Sequence, residues 1–127
     1  MSTDLGKFRI LIVDDEPDIV ELTAGFFQRK GLQVTTADSG REALLKAHKN
    51  KFDLIISDVR MPNGSGIDLI QSLNEKAMQI PLIFVTGFSD ISDEELVGYG
   101  AKKVFHKPAD RKELFTQAVN ILLNPES

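Results

Sequence analysis

Short apolar runs that end in polar or charged residues recur along this chain, and segments of helical periodicity separate them. The clearest runs are Phe8–Val13, Phe52–Val59 and Ile80–Val85. Nearly continuous apolar runs of this length predict strands that are buried on both faces, as in a parallel sheet. The more polar Leu32–Ala37 predicts an edge strand, and Lys103–His106 a brief fifth strand. We therefore expect an α/β fold, with a parallel sheet and helices on both of its faces.

Helix start and stop signals lie between the predicted strands. Pro17 stands where a first helical turn tolerates proline, and Gly31 follows the end of that helical pattern. The segments Ser39–Glu42 and Ser92–Glu95 match the pattern of a capping box, and Asp110 precedes a final apolar stripe. Strand and helix thus alternate five times, without an internal repeat or a linker.

Length and charge exclude several classes of function. A chain of 127 residues with 42% hydrophobic and 27% charged residues predicts a single domain over residues 1–127, with a core at about 8–123. The net charge of −4 and the scattered basic residues argue against direct binding of nucleic acid. There is no cysteine, and no apolar run is long enough to span a membrane, so we expect a cytoplasmic protein.

Acidic, hydroxyl and basic residues stand at the ends of the predicted strands. These residues are Asp14, Asp15, Asp58, Thr86 and Lys107. The carboxyl ends of parallel strands meet at one edge of the sheet, which is where ligands bind in such folds. Two like charges ~4 Å apart repel by roughly 4 kcal/mol at an effective dielectric near 20, so a cation is expected among the carboxylates. With oxygen ligands only, Mg²⁺ fits best and Mn²⁺ is possible.

One carboxylate of this group can act as a nucleophile towards a phosphoryl group. We choose Asp58, because it precedes a loop rich in turn formers, whereas Asp14 and Asp15 are adjacent and suited to holding the metal. Lys107 would neutralise a phosphoryl oxygen, and Thr86 would donate a hydrogen bond to another.

Four short motifs in order make the chain similar to the receiver domains of two-component response regulators. They are Ile12–Pro17 (IVDDEP), Ser57–Pro62 (SDVRMP), Val85–Gly87 (VTG) and His106–Pro108 (HKP). The resemblance spans the whole chain. It implies a doubly wound (βα)5 flavodoxin-like sandwich with a five-stranded parallel sheet in the order 2-1-3-4-5.

The same resemblance implies a role for each site residue. Asp58 resembles the phosphoacceptor, and Asp15 a direct Mg²⁺ ligand. Asp14 resembles an acid that acts largely through metal-bound water. Asp58 itself and the backbone carbonyl of Arg60 would complete the protein ligands.

A second set of residues resembles the switch of the family. Thr86 would move towards the phosphorylated site, and Phe105 would enter the space that it leaves. Lys107 would contact the phosphoryl group and would be joined to Pro108 by a cis peptide bond. The surface of the fourth helix, fifth strand and fifth helix would then change shape.

The resemblance also implies partners. A sensor histidine kinase or a phosphotransfer protein would supply the phosphoryl group, and the downstream partner or effector domain is open. We place a partner or dimer contact in Leu96–Val104.

Arg60 and Phe88 flank the predicted site and are expected to tune access of water to the acyl phosphate. The chain would be a switch and not an enzyme, and it either signals by protein contact alone or is one domain of a longer protein.

Three other classes of protein compete with this interpretation. An FMN-binding flavodoxin-like protein shares the fold order, but Asp14, Asp15 and Glu16 would repel the FMN phosphate. A phosphoaspartate hydrolase of the haloacid-dehalogenase type needs an acid two positions after its nucleophile, where this chain has Arg60. A receiver-like interaction module that works without phosphorylation stays open.

Overall fold

Strand and helix alternate five times along the chain, as the apolar pattern predicts. The computed structural model describes residues 4–87 and 91–125. The strands are β1 (Arg9–Val13), β2 (Gln33–Ala37), β3 (Leu54–Ser57), β4 (Leu82–Thr86) and β5 (Lys103–His106). The helices are α1 (Pro17–Arg29), α2 (Gly40–Lys49), α3 (Gly66–Glu75), α4 (Asp93–Gly98) and α5 (Arg111–Leu123), and a 3-10 turn at Leu5–Lys7 precedes β1.

The five strands form one parallel sheet in the order β2-β1-β3-β4-β5. The expected fold class and strand order are therefore confirmed. The sheet grows from β1 in both directions, so β1 and β3 lie side by side although α1, β2 and α2 separate them in sequence. Their carboxyl ends are the switch point at which α/β folds of this kind bind ligands.

The sheet buries two separate apolar clusters, one on each face. On the α1–α5 face, alternate strand residues such as Ile10, Ile12 and Ile83 pack with α1 and α5. On the α2–α4 face, Leu11 and Phe84 pack with α2, α3 and α4. Because successive side chains of a strand point to opposite faces, the position of a residue along its strand decides which cluster it joins.

Side-chain caps begin four of the helices. Ser39, Ser65 and Ser92 each accept a hydrogen bond from the backbone amide three residues on, and Asp110 caps α5. The reciprocal capping box forms only partly at Ser39, because the Glu42 carboxylate accepts from the amide of Asp38 at 2.8 Å. A complete capping box forms at Ser65–Asp68, where none was predicted.

The helices are short, as expected of crossovers in an α/β sandwich. The longest, α1 and α5, have 13 residues each, and α4 has only 6. The glycines of the fourth helical segment account for this length, because α4 ends at Gly98 and Gly100 adopts a positive φ of 116°. Within residues 4–87 and 91–125, no helix has the length and apolar character that crossing a bilayer requires.

Candidate functional site

The carboxyl ends of β1 and β3 bring acidic side chains together. Asp14 follows β1 and Asp58 follows β3, and the Asp58 amide still donates to the Val13 carbonyl at 2.9 Å. Carboxylate oxygens of Asp14, Asp15, Glu16 and Asp58 all lie within 4.8 Å of one another. The predicted acids therefore converge, although more than 40 residues separate the two halves of the cluster.

Lys107 reaches this cluster from the end of β5. Its Nζ donates to Asp58 Oδ2 at 2.8 Å, to Asp14 Oδ2 at 3.0 Å and to Glu16 Oε1 at 3.1 Å. The backbone amide of Lys107 is held at 2.9 Å by the carbonyl of Thr86, and the Lys107–Pro108 peptide bond is cis. One ammonium group thus bridges three carboxylates.

Both carboxylate oxygens of Asp58 accept a hydrogen bond. Oδ1 accepts from the amide of Val59 at 2.7 Å, and Oδ2 accepts from Lys107. Burial raises the pKa of the Asp58 carboxyl above its ordinary value, and the hydrogen bond from Lys107 opposes part of this rise. The nearby Asp14 charge also raises the pKa of Asp58. The carboxylate is consequently a stronger base than an exposed aspartate.

Lys107 stays protonated in this surrounding. Burial by itself would lower the pKa of Lys107, but the hydrogen bonds that it donates to Asp58 and Asp14 outweigh burial and raise the pKa above its ordinary value. Its side chain is only 17% exposed, so water screens these contacts weakly. The site therefore keeps one fixed positive charge at neutral pH.

The donor set suits a hard divalent cation. Four carboxylates face one ammonium group, so negative charge remains in excess after Lys107 is counted. Carboxylate oxygens are the ligands that Mg²⁺ and Mn²⁺ prefer. Asp14 and Asp58 are buried, whereas Asp15 and Glu16 are exposed. An ion could therefore enter the cluster from solvent on the side of Asp15 and Glu16. Arg60, two residues after Asp58, has an exposed side chain.

An apolar cleft of about 400 Å³ lies beneath the carboxylates, between the sheet and the helices α1 and α5. Its walls include Ile19, Thr23, Ile56, Val85, Ala109 and Leu114. An apolar wall beside Asp58 strengthens the electrostatic interactions at the site, because it displaces water from one side of the carboxylate.

Thr86 ends β4, the strand next to β3. Its side chain is buried, with 1% of its surface exposed. It lies two residues after Phe84, which packs on the α2–α4 face, and alternation places Thr86 on that face too. Asp58 follows Leu54 and Ile56, which face the other way. Thr86 thus ends the strand next to the one that Asp58 follows. Its side chain lies on the α2–α4 face, whereas the alternation of β3 directs Asp58 to the α1–α5 face.

The structure corrects the expected role of Phe105. Phe105 pairs with Val85 in the register of β4 and β5, and both pack on the α1–α5 face. Thr86 pairs with His106, one residue further on. Phe105 consequently lies on the face opposite Thr86 and cannot fill the space that Thr86 would leave. The residue of β5 that pairs with Phe84 on the α2–α4 face is Val104, which is not aromatic.

The acidic cluster contains one carboxylate that the sequence pattern did not single out as a site residue. Glu16 accepts a hydrogen bond from Lys107 and belongs to the carboxylate cluster, although the sequence pattern did not place it among the metal or phosphoryl ligands. Its position directly after the Asp14–Asp15 pair was the available signal. Phe88, expected to flank the site with Arg60, lies outside the residues that the structure describes.

Comparison with known families agrees with this geometry. The family described as the response regulator receiver domain matches residues 10–119. The chain belongs to this family. As a receiver domain it is homologous to two-component response regulators and to receiver domains of histidine kinase signalling proteins.

Individual relatives support the assignment. The response regulator SaeR of Staphylococcus epidermidis is 36% identical over 114 residues, which cover 89% of this chain and 49% of SaeR. This receiver domain thus spans about half the length of the curated relatives it matches.

Solved receiver structures share the fold over nearly the whole chain. The Francisella response regulator 1452 receiver domain superposes with a TM-score of 0.87 at 29% identity, covering 95% of this chain and 100% of the other. The signal receiver domain of a signal transduction histidine kinase from Syntrophus aciditrophicus gives 0.84 at 31% identity, covering 94% and 92%. The flavodoxin-like architecture expected from the sequence is thereby confirmed.

Proposed function

We propose that this receiver domain accepts a phosphoryl group on Asp58 and acts as a phosphorylation switch. The contact of Lys107 Nζ with Oδ2 of Asp58 at 2.8 Å carries the proposal. It places a cation beside the one carboxylate of the cluster that is buried, central in the sheet and bonded to the amide that follows it. Among the acids of the site, Asp58 is therefore best placed to react while its new charge is neutralised.

In the proposed reaction, an Asp58 oxygen attacks phosphorus and forms a new O–P bond. The bond from phosphorus to the donor breaks, which is a P–N bond in a phosphohistidine and a P–O bond in acetyl phosphate. The donor leaves with that electron pair. The histidine nitrogen that held phosphorus keeps the pair as part of a neutral imidazole, with one proton on the ring, whereas acetate leaves as the anion and needs no proton. Lys107 faces the oxygen atoms that gain charge during transfer, and the amide of Val59 keeps the carboxylate oriented.

The acidic cluster is the proposed site for Mg²⁺, and Mn²⁺ could take its place. When bound, the ion neutralises charge on the phosphoryl oxygens and on the carboxylates. Asp15 and Asp58 are its proposed direct ligands, together with the backbone carbonyl of Arg60, and Asp14 would act largely through water. The excess of negative charge around Lys107 supports this assignment.

Phosphorylation would then alter the hydrogen bonds around Asp58. A phosphoryl group adds negative charge and acceptor oxygens. Lys107 would follow the new oxygens, and the Thr86 hydroxyl would donate to one of them. The Thr86 carbonyl holds the Lys107 amide, so a movement of either residue is passed to the ends of both β4 and β5.

The partners follow from this role. A sensor histidine kinase or a phosphotransfer protein is the proposed donor, and the domain acts as a switch and not as an enzyme. We place the protein in the cytoplasm. A downstream partner would contact the surface of α4, β5 and α5, where Val97 is 50% exposed. That the domain itself does not bind nucleic acid stays a prediction, supported by its net charge of −4.

Intact mass spectrometry tests the proposal. The wild type is incubated with acetyl phosphate, with Mg²⁺ or with EDTA, alongside Asp58→Asn. Asp18→Asn is the matched control, because Asp18 is an exposed carboxylate in the first turn of α1. We expect a Mg²⁺-dependent gain of one phosphoryl group in the wild type and in Asp18→Asn, and none in Asp58→Asn.

Two results would contradict the proposal. A gain that persists in Asp58→Asn would place the phosphoryl group on another residue. No gain under any condition would favour a receiver-like interaction module that works without phosphorylation. Repeating the incubation with the Arg60→Ala variant and following the loss of mass afterwards tests the expected influence of Arg60 on water access.

A further inference from the structure

A side-chain contact joins the end of β5 to the start of α4. Nε2 of His106 lies 3.0 Å from both carboxylate oxygens of Asp93. A carboxylate can only accept, so Nε2 carries the hydrogen and donates. Asp93 is the first residue of α4, and His106 is the last residue of β5. The contact joins residues 13 positions apart in sequence and so ties the end of β5 to the start of α4.

The register of the sheet sets His106 beside Thr86. The two residues are partners in the parallel pairing of β4 and β5, and alternation directs both side chains to the α2–α4 face. His106 also immediately precedes Lys107, which contacts Asp58. Among the described residues of β5, His106 is thus the side chain nearest in register to Thr86 on the face that carries α4.

Most residues of helix α4 are exposed. Leu96 is its one buried residue, while Asp93, Glu94, Glu95 and Val97 are exposed. Ser92 caps the helix locally, through the amide of Glu95, and does not attach it to the sheet. Ile91 and Tyr99, which flank the helix, pack partly on the same cluster, and the Tyr99 carbonyl accepts from Asn74 Nδ2 at 3.0 Å. Within the helix itself, Leu96 packs in that cluster and Asp93 contacts His106, so the first turn of this 6-residue helix can shift when Asp93 is pulled or released.

We propose that His106 and Asp93 transmit the state of Asp58 to α4 in this chain. The inference rests on the proposed phosphorylation of Asp58. When Thr86 moves towards the phosphoryl group, the ends of β4 and β5 move with it, because the Thr86 carbonyl holds the Lys107 amide. A shift of about 1 Å at His106 lengthens a 3.0 Å contact beyond hydrogen-bonding range and frees the first turn of α4.

This route takes the place of an aromatic switch. Phe105 packs on the other face of the sheet, and Val104 occupies the preceding position on the α2–α4 face. A valine has two fixed methyl groups and cannot swing between an inner and an outer position as a large ring can. His106 is the residue of β5 on this face that has both a long side chain and a polar contact with α4.

Amide chemical shifts of α4 measure the proposed link. Spectra are recorded for the full chain with Mg²⁺, before and after addition of acetyl phosphate, and intact mass reports the phosphorylated fraction of each sample. The variants are His106→Val, which keeps strand propensity, and His106→Arg, which keeps a donor to Asp93. Lys103→Val is the matched control, since Lys103 is an exposed cation on the same strand that points to the other face.

At equal phosphorylation, we expect His106→Val to reduce the shift changes of Asp93–Gly98 about twofold or more, the modest size that an exposed side-chain contact can transmit. His106→Arg and Lys103→Val should respond as the wild type does. Asp93→Asn tests the same contact from its other partner. The double variant with His106→Val should lose no more than either single variant, because both remove one interaction.

The outcomes separate this inference from the function on which it rests. A phosphoryl gain together with an undiminished α4 response in His106→Val and Asp93→Asn would overturn the link and leave the phosphoacceptor role intact. An equal loss in Lys103→Val would overturn it too, since any change in β5 would then suffice. No phosphoryl gain in the wild type would refute the proposed function, and the link with it.

Discussion

Replacing Gly66 by alanine should destabilise the protein through a clash at the carboxyl end of β3. Gly66 is the first residue of α3, and a Cβ there would lie 2.2 Å from the backbone oxygen of Asp58. It would also lie 2.8 Å from Cε1 of Phe84 and 3.1 Å from Oγ of Ser57. Ordinary van der Waals contacts of such an atom begin at 3.4 Å. The added methyl group therefore overlaps the backbone oxygen by more than 1 Å.

Neither neighbour can move away without loss. Phe84 has no exposed surface, and the Asp58 oxygen already accepts a hydrogen bond of 2.7 Å from Ser57. Overpacking of a well-packed interior costs about 1–3 kcal/mol, and a clash with backbone belongs at the upper end. A domain of this size loses about 3–5 °C in Tm per kcal/mol. We expect Gly66→Ala to lower the free energy of unfolding by about 3 kcal/mol and the Tm by roughly 10 °C.

The assay is urea unfolding followed by circular dichroism, with Gly98→Ala as the matched control. Gly98 ends α4, and a Cβ there meets nothing within 4 Å. The same substitution should stabilise at this position, by about 0.5–1 kcal/mol, because alanine loses less backbone entropy in a helix. If glycine-to-alanine substitution lowers the free energy of unfolding at Gly66 and raises it at Gly98, the difference is due to the steric contact and not to helix propensity.

A Gly66→Ala protein within about 0.5 kcal/mol of the wild type would refute this reasoning, since that is the range of ordinary surface substitutions. It would mean that α3 and the loop after β3 relax at little cost. A Gly98→Ala variant that is equally destabilised would refute it as well, because steric overlap would then not distinguish the two sites.

Two further outcomes are expected from the charges of the site. Mg²⁺ should stabilise the protein by about 2.7 kcal/mol at a concentration a hundred times its Kd, and EDTA should remove the gain; a Tm that ignores Mg²⁺ in thermal melts would contradict the metal site. Without metal, Asp58→Asn should be more stable than the wild type near neutral pH. Burial raises the folded-state pKa of Asp58 above 3.8, so between 3.8 and that pKa the folded protein holds a proton that the unfolded chain has lost. The stability of the wild type therefore falls as the pH rises from 3.8 to the folded-state pKa and stays lower above it. Urea unfolding in EDTA from pH 4 to 7 should show the advantage of Asp58→Asn growing with pH, and a constant difference would contradict it.

Much of the fold follows from local sequence pattern. The predicted bounds of the fifth strand coincide with β5, α1 begins at Pro17 as expected, and the polar Gln33–Ala37 is indeed an edge strand. Buried strands need apolar residues on both faces, whereas an edge strand tolerates polar ones. The composition of each segment therefore indicates whether its strand is central or at the edge. The bounds of β3 were less accurate, because residues 58 and 59 leave the sheet although their side chains are buried.

Most of the site was also predictable, for a topological reason. A parallel sheet places the ends of all its strands at one edge, so Asp14, Asp58 and Lys107 had to lie near one another once their strands were identified. Contacts of 2.8 and 3.0 Å between Lys107 and the two aspartates agree with that expectation. The contact of Glu16 with Lys107 was not predicted, because the path of the loop decides whether a residue beyond the end of a strand turns inward.

The sequence by itself determined the alternation of strands and helices and the set of groups at one edge of the sheet, because both depend on short-range periodicity and on parallel topology. Only the tertiary structure decided which face Phe105 and His106 occupy. A shift of one residue in strand register moves every side chain to the opposite face, and a short strand such as β5 has too little pattern to specify that register alone. The packing of α4 against one face and of α5 against the other settles it, and with it the contact between His106 and Asp93.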